Sequence, residues 1–238
     1  LVMDTDRGFF RFKFWVHCLS TKWFAQRVFT VSYDQRQLIH DKLGIPLDKI
    51  GVTYNGWEHM AKVQPDESIF EKMPVVKKGE YFYALGSLAG HKNFKWIREV
   101  ARRNPDKTFV VAGGKDLRAF GDDTEAKDTH NVFYPGYVSD AENAALMKHC
   151  RLFLHPAVFE GFGIPPLEAV ACGAKQILVS DTPCMREVYG DCAGYIDLDT
   201  NPGNVDDTTP PKADPQLLLE KYSWEKSAEK LLDILKKA

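Results

Sequence analysis

Residues 152–169 read LFLHPAVFEGFGIPPLEA, and this stretch decides the fold. The apolar run Leu152–Leu154 predicts a short buried strand. Glycines on either side of Phe162 let the backbone approach a ligand closely. A helix is expected to start at the Pro165-Pro166 pair and to end before Gly173, because proline favours the first helical positions and glycine follows helix ends. The free N–H groups at such a helix start favour an anion such as phosphate.

Short apolar runs alternate with helical stretches on both sides of this segment. The expected strands are Arg27–Val31, Ile50–Tyr54, Tyr81–Leu85, Thr108–Ala112, Val132–Tyr134, Leu152–Leu154, Gln176–Val179 and Tyr195–Ile196. Helices are expected from Ser32 to Leu43, over Phe94–Arg103, from Ser139 to about His149, and from Ser223 onward. This alternation predicts an α/β, Rossmann-like parallel sheet with helices on both faces, and ligands beyond the carboxyl ends of the strands.

The composition is that of an ordinary soluble protein. The 238 residues are 44% hydrophobic and 27% charged. The net charge is −2, so the overall charge does not favour nucleic acid as a partner. No apolar run approaches the ~20 residues of a membrane-spanning helix, and the first residues do not resemble a signal peptide. We therefore expect a cytoplasmic protein. The five cysteines form no C-x-x-C pair, which argues against a disulfide framework or a zinc site.

Residues 7–27 combine basic and aromatic side chains. No acidic residue occurs between Arg7 and Tyr33. A basic, aromatic helix can lie on an anionic membrane surface, which would make the protein peripheral at the inner face of the membrane. The alternative is a helix packed against a neighbouring domain, because the aromatic residues do not lie on one clean face of the expected helix.

Two carboxylates frame the predicted anion site. Glu160 and Glu168 lie on either side of the glycine loop, eight positions apart. A carboxylate accepts strong hydrogen bonds from hydroxyl groups. The pair therefore indicates a ligand that carries sugar hydroxyls as well as phosphate.

The run from Glu160 to Glu168 resembles the E-x7-E signature of the glycogen-synthase-like retaining glycosyltransferases with the GT-B fold (glycosyltransferase family 4). The resemblance implies that Glu160 faces the donor hexose and that Glu168 holds the ribose hydroxyls. It further implies that four loop amides lie against hexose and diphosphate, those of Gly161, Phe162, Gly163 and Ile164.

Two more loops resemble donor-binding loops of the same family. The loop from Gly86 to Asn93 is similar to G-R-x-x-x-x-K-N, which implies that Lys92 meets the donor diphosphate. Ser87 stands where the family often has an arginine, so one diphosphate contact is missing or comes from elsewhere. The loop at 136–139 is similar to the one that wraps the nucleobase, with Tyr137 either stacking or merely packing and Val138 contributing its backbone only.

The resemblance also implies a domain organisation. The Asn55-Gly56 pair resembles the domain hinge, and Tyr222-Ser223-Trp224 resembles the motif before a last helix that crosses back to the N-terminal domain. The expected units are a remnant of the N-terminal acceptor domain at 1–56, a linker at 57–79, the nucleotide-sugar-binding domain at 80–222 and the crossing helix at 223–238.

The function implied is transfer of a hexose from a nucleotide diphosphate sugar to a saccharide or lipid-linked acceptor, with retention of configuration, in polysaccharide biosynthesis. No metal or other cofactor is expected, in line with the lack of a D-x-D motif. Glu160 and Lys92 would be the catalytic residues, with Lys92 stabilising the leaving diphosphate. Lys92→Ala is expected to lower turnover far more than stability.

Other functions fit the sequence less well or stay open. The first 56 residues are too short for a complete acceptor domain, so the chain could be a binding module that needs a separate N-terminal domain subunit. A glycoside hydrolase would need Glu160 and Glu168 to lie across a sugar, which a single phosphate-type loop fits badly. A nucleotide-sugar epimerase is a further alternative. Phosphoryl transfer is disfavoured because no P-loop is present.

Overall fold

The computed structural model describes residues 8–86, 90–113, 129–198, 205 and 209–237. The strands are β1 (Val28–Thr30), β2 (Ile50–Val52), β3 (Tyr81–Leu85), β4 (Thr108–Ala112), β5 (Val132–Gly136), β6 (Leu152–His155), β7 (Ile177–Ser180) and β8 (Gly194–Ile196). The helices are α1 (Gly8–Phe24), α2 (Tyr33–Leu43), α3 (Ile69–Lys72), α4 (Phe94–Arg103), α5 (Asp140–His149), α6 (Ile164–Ala171), α7 (Pro183–Tyr189), α8 (Leu217–Lys221) and α9 (Trp224–Lys236). Most of the polar loop at 115–130 and part of the irregular stretch at 197–215 lie outside these residues.

The strands form two parallel sheets. β1 pairs with β2, and the other six strands pair in the order β5-β4-β3-β6-β7-β8. The predicted α/β class with parallel strands is therefore confirmed. The chain moves outward from β3 to β5 and then returns to the other side of β3 with β6. Ligands of open α/β sheets bind at such a reversal of strand order, beyond the carboxyl ends of the strands.

The larger sheet is covered by helices on both faces. Along β3, Tyr81 and Tyr83 pack into the cluster that contains α5, α6 and α7, while Phe82 and Ala84 pack into the cluster that contains α4. Successive side chains of a strand point to opposite faces, so one strand contributes to both cores. Because β3 and β6 lie at the centre of the sheet, the loops that follow them start from fixed positions.

The predicted helix starts are present, with one difference in detail. Ser139 and Glu142 form a complete capping box. Ser32 caps α2 by accepting a hydrogen bond from the Gln35 N–H at 3.2 Å. The Gln35 side chain does not return to the Ser32 backbone but donates to the carbonyl of Glu160. The second half of this predicted box is thus replaced by a contact to the glycine loop.

The segment predicted as a linker, 57–79, is packed. It contains a 3-10 turn at Met60–Lys62 and the short helix α3. Its buried side chains are those of Met60, Ile69, Met73 and Val76. The segment therefore packs against the core of the larger sheet as well as connecting β2 to β3.

Among the side chains of α1 that the structure describes, several exposed apolar ones lie along one side of the helix; Phe24, which is also exposed, lies off this side, so the expectation that the aromatic residues form no clean face is not overturned. The exposed apolar residues follow helical spacing and comprise Phe12, Trp15, Val16, Leu19 and Trp23. Cys18, on the opposite side of the helix, is buried. Among the described residues, no helix is both long and apolar enough to cross a membrane.

Candidate functional site

Lys92 and Glu160 meet beyond the centre of the sheet. Lys92 ends the 3-10 turn that precedes α4, and Glu160 follows β6. The Lys92 Nζ atom donates a short hydrogen bond to Oε1 of Glu160. The two side chains are only 16% and 14% exposed. The two residues predicted as catalytic are thus brought together as a partly buried ion pair.

His155 is the third member of this cluster. Its Nε2 atom lies 3.2 Å from Oε1 of Glu160. Burial lowers the pKa of His155 and outweighs the opposing effect of Glu160, so the ring is neutral at neutral pH. Burial alone would raise the pKa of Glu160, but the His155 ring and the Lys92 charge outweigh it and lower this pKa to about 2. The carboxylate therefore stays ionised between a cation and a neutral imidazole.

Sequence reasoning gave His155 no role, although it lies in the stretch 152–169 that decides the fold. The signal was a polar residue at the end of a strand that is otherwise apolar and buried. Its Nε2 atom is buried without a well-oriented hydrogen-bond partner. Such an atom usually calls for a specific explanation, such as a functional role.

The glycine loop has the backbone shape that the sequence indicated. Gly163 has φ of 75° and forms the N-cap of α6. A Cβ atom at this position would lie 2.8 Å from Cε of Met185. The Phe162 side chain is buried against the rings of Tyr54 and Tyr222, at centroid distances of 6.1 and 5.2 Å. Phe162 can thus offer a ligand only its backbone.

The loop is also tied to the first helix of the smaller sheet. The Ser32 hydroxyl donates to the carbonyl of Gly161 at 2.6 Å, and the Gln35 amide donates to the carbonyl of Glu160 at 3.3 Å. From α7, the Glu187 carboxylate accepts 2.8 Å hydrogen bonds from the first two backbone N–H groups of α2. Four hydrogen bonds therefore join α2 to the larger sheet.

Glu168 lies apart from the Lys92–Glu160 pair. It is the fifth residue of α6. Its Oε1 atom lies 2.8 Å from Nε2 of His59, and Nε1 of Trp224 donates to Nδ1 of the same ring at 3.2 Å. The residue predicted for the ribose hydroxyls is thus linked to both the segment after the Asn55-Gly56 pair and the start of α9.

The remaining predicted residues lie at the ends of β3 and β5. Tyr137 is 73% exposed, so its ring does not pack into the core, and Val138 is buried, which leaves its backbone for contacts. Gly86 follows β3, and a Cβ on Gly113 would lie 2.1 Å from the Gly86 carbonyl oxygen. Ser87 lies outside the described residues.

Among the described residues, no group of three or more His, Cys, Asp or Glu side chains could hold a metal ion. The expectation that the protein needs no metal was drawn from sequence motifs. It stays a prediction.

The chain belongs to the family described as glycosyl transferases group 1, which matches residues 65–238. The glycine loop, Lys92 and both glutamates fall inside this range.

Two curated relatives illustrate the family's range. The chain is 29% identical over 181 residues to the O-antigen chain mannosyltransferase RfbU of Salmonella typhimurium, covering 74% of this chain and 48% of the relative. It is 30% identical over 165 residues to an N,N'-diacetylbacillosaminyl-diphospho-undecaprenol alpha-1,3-N-acetylgalactosaminyltransferase of Campylobacter jejuni, covering 66% of this chain and 43% of the relative. The chain thus spans about half the length of these relatives.

Solved structures share the fold, which is that of GT-B glycosyltransferases. Anabaena HepE in complex with UDP and glucose matches with a TM-score of 0.73 at 18% identity, over 96% of this chain and 68% of that chain. WaaG, a glycosyltransferase involved in lipopolysaccharide biosynthesis, matches with a TM-score of 0.61 at 18% identity, over 80% of this chain and 56% of that chain.

Proposed function

We propose that this chain contains the donor site of a retaining glycosyltransferase that moves a hexose from a nucleotide diphosphate sugar to an acceptor in polysaccharide assembly. The observation that carries the proposal is the Lys92–Glu160 ion pair beyond β3 and β6, next to the start of α6. This combination places a cation and a carboxylate near the backbone N–H groups of Gly163 and Ile164, the two residues before the prolines of α6. A sugar linked to a diphosphate needs all three.

The diphosphate would be the leaving group. Lys92 and the N–H groups of Gly163 and Ile164 at the start of α6 would stabilise the negative charge that develops on it. In the proposed mechanism no side chain attacks the sugar, and a donor phosphate oxygen accepts the acceptor's proton. The acceptor hydroxyl then attacks from the face that the diphosphate leaves, so the anomeric configuration is retained.

Glu160 would orient the hexose. Its low pKa keeps it a carboxylate over the whole neutral range, so it accepts hydrogen bonds from hexose hydroxyls and cannot act as a general acid there. The buried His155 ring, with Nε2 3.2 Å from the carboxylate, would limit the movement of Glu160 by packing. Glu168 would accept hydrogen bonds from the ribose, and the exposed ring of Tyr137 would stack on the base.

The acceptor would approach Glu160 from the side of α2. A cavity of about 330 Å³ opens there between α2 and the loop before Glu160. Its lining includes Asp34, Gln37, Asp41 and Phe159. Carboxylates, an amide and an aromatic ring suit the hydroxyl groups and faces of a sugar. The relatives' names favour a saccharide, free or linked to a lipid diphosphate, as acceptor.

A second candidate function is a donor-binding module that turns over only with a further N-terminal domain. The part of the chain that matches RfbU corresponds to 48% of that relative's length. Both candidates share the donor site and differ in turnover. Release of nucleotide diphosphate from donor plus acceptor by the chain alone would favour the complete enzyme, and donor binding without release would favour the module.

Calorimetric titration with UDP-, GDP- and ADP-linked hexoses tests the donor site directly. GDP-mannose belongs in this panel because RfbU is a mannosyltransferase. We expect one nucleotide series to bind and Glu168→Ala to lose most of that affinity. Glu67→Ala is a matched control, because Glu67 also accepts from a histidine Nε2, that of His149 at 2.9 Å. Equal affinity in wild type and Glu168→Ala would contradict the proposal.

A further inference from the structure

His59 and Trp224 form a hydrogen-bonded chain that ends on Glu168. Trp224 Nε1 donates to His59 Nδ1 at 3.2 Å, and His59 Nε2 lies 2.8 Å from Oε1 of Glu168. The two outer residues come from different parts of the molecule, since His59 follows the Asn55-Gly56 pair and Trp224 begins α9. These two hydrogen bonds therefore join three separate segments of the protein at the Glu168 carboxylate.

The chemistry of the three side chains fixes which atom donates in each of these two hydrogen bonds. An indole nitrogen can only donate, so Nδ1 of His59 must accept. The ring proton is then on Nε2, which donates to Glu168. The other nitrogen of a histidine commonly sets which tautomer it presents. Trp224 therefore fixes the tautomer of His59 and also its orientation, with the two rings 6.2 Å apart between centroids.

The position of Trp224 is itself fixed by neighbours. Its backbone N–H donates to the Glu58 carboxylate at 3.1 Å. Ser223 caps α9 by accepting from the N–H of Lys226 at 3.0 Å. The indole is thus held by the start of a helix, and the residue before His59 anchors that start.

We propose that His59 is a positioning residue for nucleotide recognition, acting through Glu168, and that Trp224 supports it. This inference rests on the proposed function, in which Glu168 binds the ribose. The His59 bond occupies Oε1 and holds the flexible glutamate side chain in one orientation. The second carboxylate oxygen is then directed to the ribose hydroxyls without a further loss of side-chain freedom on binding.

The expected effect of His59→Ala is selective for ribose. Loss of one hydrogen bond to a charged group should weaken binding of a ribonucleoside diphosphate by roughly tenfold. The 2′,3′-dideoxy counterpart, which cannot make the ribose contact, should bind His59→Ala and wild type equally. His59→Gln should retain part of the affinity because its amide can still donate, and Trp224→Phe should lose part because the N–H is removed.

The test uses the whole chain and calorimetry with UDP, GDP and ADP, followed by the dideoxy form of the tightest binder. His59→Ala is measured alone and together with Glu168→Ala, and melting temperatures establish that each variant is folded. His149→Ala is the control, since it removes a histidine with the same Nε2-to-glutamate geometry outside the site. We expect His59→Ala to have no effect once Glu168 is absent.

Three results would overturn the inference. An equal loss of ribo and dideoxy affinity would make His59 a merely structural residue. Additive losses in the double variant would show that His59 does not act through Glu168. Failure of the wild type to bind any of the three nucleotides would overturn the proposed donor site as well, which distinguishes that failure from the first two.

Discussion

Replacing Lys92 by methionine tests how the central ion pair shapes both stability and pH response. The pKa of Glu160 lies at about 2, against 4.5 for an ordinary glutamate. At about 1.4 kcal/mol for each tenfold change in the protonation equilibrium, the ionised carboxylate contributes about 3 kcal/mol to folding at neutral pH. The His155 ring and the Lys92 ammonium group both lower this pKa, so Lys92→Met removes part of this contribution and leaves the carboxylate buried without its cation. We expect Lys92→Met to destabilise the protein by about 2–4 kcal/mol at neutral pH.

The pH dependence gives the sharper result. A carboxyl group with a lowered pKa stabilises the fold above its unfolded pKa of 4.5, and this contribution is lost as the pH falls through the folded value of about 2. In Lys92→Met, burial acts without the opposing cation, so the pKa of Glu160 rises. The unfolded pKa is the same in both proteins, so the difference in stability between them should shrink as the pH falls through the raised Glu160 pKa of the variant towards the wild-type value of about 2.

The assay is urea denaturation followed by circular dichroism at several pH values. Lys72→Met is the matched control, because Lys72 pairs with Glu142 at the surface with 64% of its side chain exposed. An exposed pair contributes little, so this variant should stay close to wild type. The double variant Lys92→Met/Glu160→Gln should recover part of the loss. The reasoning fails if Lys92→Met behaves like Lys72→Met, or if its deficit is the same at every pH.

Two further predictions concern the ends of the chain. Gly56→Ala should lower the urea midpoint and displace α9, because a Cβ at this position would lie 2.2 Å from the backbone nitrogen of Trp224. An unchanged midpoint would mean that the backbone around Gly56 can move enough to accommodate the methyl group. The contact of residues 7–27 with a membrane, and the location at the inner membrane face, stay predictions from the sequence. Wild type should sediment with vesicles of anionic lipid and less so with vesicles of neutral lipid. Trp23→Ser should weaken this sedimentation because Trp23 is 73% exposed. Equal sedimentation of both proteins would leave the exposed apolar side of α1 as a surface for another protein domain.

The central part of the site could be predicted because its information is local. A strand, a glycine loop and a helix start follow one another in the sequence around Glu160, and parallel strands bring their carboxyl ends to one edge. Once β3 is recognised as a strand of the same sheet, Lys92 is expected at that edge too. The sequence could not predict that β3 and β6 would be neighbours. It therefore missed the Lys92–Glu160 ion pair and the contribution of that pair to stability.

The contacts of the histidines could not be predicted for a different reason. His59 and Glu168 are 109 positions apart, and neither spacing nor composition links them. His155 ends a strand, where alternation cannot tell whether a side chain points to the core or to the site. The packing of the predicted linker, 57–79, could not be predicted either. Its residue Ile69 is buried in the core of the larger sheet, and the strands of that sheet come only later in the sequence.

The four hydrogen bonds between α2 and the larger sheet have a consequence for motion. Two of them end on backbone carbonyls of the glycine loop, at Glu160 and Gly161. If the smaller sheet swings away about the Asn55-Gly56 pair, all four must break, at a cost of about 1 kcal/mol each. Opening is therefore expected as a single cooperative transition between two discrete forms, and the glycine loop, proposed to bind the sugar, would relax in the same event.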